Sequence, residues 1–281
     1  MLSLSTPCSL CAVGETLFAR LPGATVAYEL GGGGERLVWC HGLGSCRAGD
    51  RDVIDTLSEH FTVLSYDARG HGESPPVVDE AAYNYASLSA DLRALLDYVS
   101  WPRVILAGAS MGAATSARVA MEEPARVSHL IIARPATSGG PASPQMQLLF
   151  RLGGEAIRSG GWEAAVAFLM TIPEAAEQLS RDPGRLESLR ADWSRHDPAS
   201  IAAALIGIPA SGPLTPEVDI TAIRSPTLVI PGNDLLHPTA AGETVASLIP
   251  GARLAPAFDG LPRAEEVRGL VRLIRDFVSG V

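Results

Sequence analysis

The chain has 281 residues, is 47% hydrophobic but only 5% aromatic, and carries a formal net charge of −9 from 22 basic and 31 acidic residues. That length accommodates one large domain with an inserted lid, and an acidic surface of mixed sign argues against a nucleic-acid-binding face. No stretch approaches the ~20 uninterrupted apolar residues of a membrane span, and Met1–Cys8 lacks the charged and apolar regions of a signal peptide. A cytoplasmic protein is expected. Of its four cysteines, Cys8 and Cys11 form a C-x-x-C pair with no second pair or histidine cluster to complete a metal site. Reduced thiols are the reading for all four, with Cys40 acting as a small apolar group at the end of a strand.

In chain order, Thr16–Arg20 and Ala24–Leu30 flank Pro22-Gly23 and predict a hairpin. Leu37–Cys40 and Val63–Tyr66 read as strands separated by a short helix over Asp52–Ser58. Leu88–Val99 is an amphipathic helix with Leu88, Leu92, Leu95, Leu96 and Val99 on one face. Val104–Ala109, Val127–Ala133, Thr227–Ile230 and Ala252–Ala255 supply later strands, and a helix closes the chain over Ala264–Val278. Near-continuous apolar strands alternating with helices imply a mostly parallel sheet covered on both faces. Between Ala136 and Ile223 the strand rhythm stops. Helices are expected there at Gln145–Arg158, Trp162–Met170 and Ser188–Leu205, bracketed by Pro- and Gly-rich segments.

Four stretches carry the chemistry. Gly108-Ala109-Ser110-Met111-Gly112 is a G-x-S-x-G sequence placed between an apolar strand and a small-residue helix, the setting of a nucleophile elbow. Upstream lie Cys40-His41-Gly42-Leu43-Gly44, at a strand end, and Asp67-Ala68-Arg69-Gly70-His71-Gly72-Glu73-Ser74. Downstream, Thr227–Ile230 runs into Pro231-Gly232-Asn233-Asp234-Leu235-Leu236-His237-Pro238. Together these resemble the α/β-hydrolase superfamily from about Ala24 to the C-terminus. The resemblance implies an α/β core over residues 1–136 and 222–281 and a helical cap over 137–221.

The resemblance further implies Ser110 as nucleophile, Asp234 as the acid, and the backbone N–H groups of Leu43 and Met111 as oxyanion donors. It also implies a histidine after the last strand. None follows His237. A serine hydroxyl requires a base held by a third group, and His237 is the first choice. His196 of the cap and Asp259, in the region of the absent histidine, are the alternatives. His41 and His71 read as loop-ordering residues, and His60 and His129 as exposed on the opposite rim.

Arg134, following a strand at the active rim, offers a bidentate clamp for a substrate carboxylate, or a partner for Glu155 or Glu163 of the cap. Trp162, Phe168, Met170, Trp193 and His196 of the cap have the helical spacing of cap core, and of these Trp193 and His196 are also the candidates for substrate contact. No cofactor or metal is expected, and the partner is a small molecule bound by a monomer or homodimer. Three functions stay open: a serine-dependent hydrolase of an ester, lactone or thioester with an atypical triad; a cofactor-independent lyase, cyclase or carbon–carbon bond-cleaving enzyme of secondary metabolism; and a catalytically silent binding protein.

Overall fold

A computed structural model describes residues 15–281 except 182, 215–218 and 259–260. Cys8, Cys11 and Asp259 therefore lie outside the described residues. The strands are β1 (Leu17–Arg20), β2 (Thr25–Gly32), β3 (Arg36–Cys40), β4 (Thr62–Tyr66), β5 (Val104–Ala109), β6 (Val127–Ala133), β7 (Thr227–Ile230) and β8 (Arg253–Leu254). They form one sheet in the order β1-β2-β4-β3-β5-β6-β7-β8. The pairs β1/β2 and β2/β4 are antiparallel and every other pair is parallel.

Alternation along the strands sends side chains to two separate cores. Val38, Leu64, Leu106 and Leu130 face α2 (Tyr85–Tyr98) and α3 (Met111–Glu122). Leu37, Val63, Ile105 and Ile131 face α1 (Arg51–Ser58) and α9 (Arg263–Ser279). Both faces are thus buried, which is why these strands are apolar at successive positions. Crossover helices place every parallel strand end, and the turns that follow, on one rim. The chain has the α/β-hydrolase fold.

Among the described residues, four α-helices lie between β6 and β7: α4 (Pro144–Leu169), α5 (Pro173–Arg181), α6 (Pro183–Trp193) and α7 (Pro198–Ala210). The two helices expected over 145–170 are both present within α4, separated by the non-helical backbone of Gly160 (φ −153°, ψ 20°) and Gly161 (φ 65°, ψ −154°). The helix expected over Ser188–Leu205 is instead two. Pro198 disfavours helical backbone at the residue before it, and Asp197 caps α7 by accepting the Ser200 N–H at 2.8 Å. The segment at α5 was not read as helical from sequence. Thr239–Leu248 forms α8, between β7 and β8.

The loop after β4 is anchored by a buried ion pair. Arg69 donates through Nε and Nη2 to the two Asp91 oxygens at 2.7 and 2.8 Å. Both side chains are buried. Asp91→Ala strands that guanidinium in the interior, so urea unfolding is expected to show a loss of about 3–5 kcal/mol. The double variant Arg69→Met/Asp91→Leu should lose much less, because no buried charge is left alone.

Candidate active site

The site starts from backbone constraint. Ser110 sits between β5 and α3 at φ 52°, ψ −114°, a conformation that a side-chain-bearing residue adopts only where its surroundings enforce it. The enforcement comes from close approach. A Cβ on Gly112 would lie 2.1 Å from the Cys40 carbonyl oxygen, and one on Gly108 would lie 2.6 Å from the Gly112 carbonyl carbon. Only glycine lets the end of β3, the elbow and α3 meet this closely.

The second constraint is a four-residue turn. The Leu236 and His237 N–H groups each donate to Asp234 Oδ1 at 2.8 Å. The backbone also closes on itself, with His237 N–H donating to the Asp234 carbonyl at 3.2 Å. Gly232 makes room, since a Cβ there would come 2.5 Å from His237 Cβ. Folded this way, the turn returns His237 to the carboxylate three positions before it. Its Nδ1 lies 3.0 and 3.1 Å from the two Asp234 oxygens. Its Nε2 lies 3.0 Å from Ser110 Oγ. Serine, imidazole and carboxylate are therefore in one hydrogen-bonded line.

Asp234 is held ionised. Burial alone raises a carboxyl, but the hydrogen bond and charge of His237, the charge of Arg134 and the His237 N–H together hold it well below the usual carboxylate range. Arg134 departs from the sequence reading. Its guanidinium bonds Asp234 Oδ2 through Nη2 and Glu266 Oε1 through Nη1 at 3.2 Å. The anions it engages are thus within the protein, and neither is the cap residue Glu155 or Glu163. Glu163 pairs with Arg190, and Glu155 lies beside Arg158.

Leu43 and Met111 both border the cavity that opens over Ser110. As the first residue of α3, Met111 has an N–H without a carbonyl partner in its own helix, at the end where the helix favours negative charge. His41 shapes the Leu43 turn: its Nε2 accepts the Ala68 N–H at 2.9 Å, which leaves Nδ1–H to donate to the Gly42 carbonyl at 2.8 Å. His71 Nδ1 likewise meets the Arg69 carbonyl at 2.9 Å.

Two cap residues are not where the sequence reading put them. His196 is buried against the core, its Nδ1 accepting the Gly72 N–H at 2.9 Å and its ring edge-on to His71 at 5.8 Å. Trp193 stacks on Trp162 at 5.5 Å inside the cap's own small core. Neither borders the cavity over Ser110. Helical spacing showed that both side chains point inward, but not toward which neighbour. Met146 and Phe150 of α4, Ile208 and Pro209 of α7 and Leu214 are among the residues between β6 and β7 that do border it. His60 is exposed, whereas His129 is half-buried, its ring 5.8 Å from Phe277 of α9.

The cavity measures about 730 Å³, within the range of small-molecule sites. No group of three or more metal-ligating side chains occurs among the described residues, and no described helix is long and apolar enough to cross a membrane.

A family model described as the alpha/beta hydrolase fold matches residues 35–158. The match covers the serine elbow and the strands on either side of it. Among curated relatives, it is 35% identical over 108 residues to a provisionally named carbamate hydrolase, RutD, of Variovorax paradoxus (strain S110), a match covering 37% of this chain and 40% of that one. It is 29% identical over 241 residues to 2-hydroxy-6-oxononadienedioate/2-hydroxy-6-oxononatrienedioate hydrolase 2 of Pseudomonas putida, covering 80% of each. Among solved structures, it is similar to an enol-lactonase from Burkholderia xenovorans LB400, with a TM-score of 0.77 at 25% identity over 94% of this chain and 100% of that one.

His196 gives the fold a defined acid sensitivity. Burial, then the neighbouring His41, push its imidazole down to about 4, with Arg195 acting the same way and Asp67 opposing. An unfolded imidazole titrates near about 6.5. As the pH falls from there toward 4, the unfolded chain takes up a proton that the folded one refuses, so stability falls. The loss is on the order of 3 kcal/mol at most. Urea titrations across that window should show the wild type losing stability steeply and His196→Gln less so. His71, which burial also depresses, keeps the variant's slope above zero.

Proposed function

We propose that the protein is a serine hydrolase acting on an ester, lactone or thioester of a small molecule, with Ser110 as nucleophile, His237 as general base and Asp234 as the orienting acid. The observation that carries this reading is the 3.0 Å contact between His237 Nε2 and Ser110 Oγ, made while Nδ1 is engaged by Asp234. A carboxylate at Nδ1 fixes the tautomer that leaves a lone pair on Nε2 facing the hydroxyl.

In the reaction, Nε2 accepts the Ser110 proton as Oγ attacks the substrate carbonyl. The resulting oxyanion is received by the N–H groups of Leu43 and Met111. The imidazolium, stabilised by Asp234, returns its proton to the leaving alcohol or thiol, and an acyl-serine remains. Water then attacks that ester, with the same imidazole taking its proton, and the acid is released. The names of the relatives, an enol-lactonase among them, support hydrolysis. The lyase and cyclase readings need an oxyanion site but no poised base on the serine, and a silent binder needs neither.

Arg134 enters this scheme as a positioning residue. By bonding the Asp234 oxygen Oδ2, it fixes the plane of the carboxylate toward the imidazole.

Fluorophosphonate labelling followed by intact-mass measurement tests the proposal. Wild type should gain one adduct on Ser110, and Ser110→Ala none. His237→Ala should label and hydrolyse p-nitrophenyl hexanoate at least about 1,000-fold more slowly. Labelling undiminished in His237→Ala would remove the imidazole from the mechanism.

A further inference from the structure

The cavity over Ser110 is apolar and its cations are already occupied. Met146, Phe150, Leu235, Leu236, Phe258 and Leu270 supply much of its wall. Leu235 and Leu236 are 56% and 39% exposed, an apolar lip on the turn that carries His237. The full sequence contains no lysine, so arginine is the only permanently charged side chain able to receive an anion.

Two arginines border the cavity, Arg134 and Arg263. Arg134 is bonded to Asp234 and Glu266. Arg263 donates to both Asp52 oxygens at 2.8 and 2.9 Å and approaches Glu266 at 3.7 Å. Glu266 thus lies between the two guanidinium groups. A further carboxylate, Asp50, also borders the cavity, accepting from Trp39 Nε1–H at 2.7 Å and from Ser45 Oγ–H at 3.1 Å. Of these carboxylates, Asp50 and Glu266 border the cavity beside the two arginines, while Asp52 and Asp234 engage those arginines from outside its lining.

We infer that the site selects an uncharged, apolar acyl group and rejects acyl chains ending in a carboxylate, with Glu266 as the residue that sets this selectivity by occupying both arginines. This rests on the serine-hydrolase reading for the identity of the site, but the selectivity itself is a property of the cavity. A carboxylate entering here gives up hydration without gaining a cation, because both guanidinium groups already face carboxylates of the protein. A hydrocarbon chain meets side chains that gain by being covered.

The test is equilibrium binding to Ser110→Ala, which reads the cavity without turnover. Methyl hexanoate and monomethyl adipate have acyl chains of equal length and differ by a terminal carboxylate. Calorimetric titration at pH 7.5 should give about tenfold or more tighter binding of the neutral ester, the effect of taking one carboxylate out of water with no cation to receive it. Adding Glu266→Gln should narrow that ratio severalfold by releasing the guanidinium groups. Equal or tighter binding of the monoanion would overturn the inference, as would a preference that Glu266→Gln leaves unchanged. Fluorophosphonate labelling of wild type reports separately on the nucleophile. A neutral preference without labelling upholds the cavity's selectivity while hydrolysis fails, and labelling with indifferent binding does the reverse.

Discussion

The site depends on one hydrogen bond within one turn, from His237 Nδ1 to the carboxylate of Asp234 three residues earlier. The turn supplies both partners, so no long loop has to be ordered to bring carboxylate and imidazole together. Its rigidity comes from several small contributions: two backbone N–H groups on Asp234 Oδ1, the backbone bond that closes the turn, and the bare Cα of Gly232 beneath His237. Arg134 restrains the remaining carboxylate oxygen and is itself held by Glu266 at the start of α9. The imidazole therefore reaches Ser110 already oriented.

The serine side of that contact is equally constrained. Its positive φ is held by the packing of glycines against the β3 carbonyl, at a local cost of about 1–3 kcal/mol that the two cores on either side of the sheet offset. The loops around it are tied to the sheet by polar groups with specific partners. His41 links its own turn to Ala68, and Arg69 links the next loop to Asp91 on α2. These residues position the backbone near the cavity, which explains why histidines close to the serine in sequence pattern take no part in the hydrogen-bonded line.

The fold was legible because its cause is local. Apolar runs such as Val104–Ala109 and Val127–Ala133, broken by helices with one apolar face, determine a two-sided parallel sheet wherever they occur. Ser110 and Asp234 were legible from their places at strand ends. His237 was legible only as a candidate, since a spacing of three residues does not say whether an imidazole folds back on its carboxylate, and Gly232 acquires meaning only once the turn is known. Arg134 was found but its partners were not. Asp234 and Glu266 lie 100 and 132 positions further along, and no local pattern encodes that meeting. For Trp193 and His196, the cap's apolar spacing gave inward-facing side chains, while the docking of the helices decided what they touch.

The central claim is that His237 presents an unprotonated Nε2 to Ser110 because Asp234 holds the proton on Nδ1. Nitrogen-15 correlation spectra of the histidine side chains, with His237 assigned by comparison with His237→Gln, measure that tautomer directly. The account predicts the Nδ1–H form for neutral His237 in the wild type, and a mixture of forms in Asp234→Ala. A neutral His237 found as the Nε2–H tautomer in the folded wild type would contradict it, because such an imidazole has no lone pair to offer the serine.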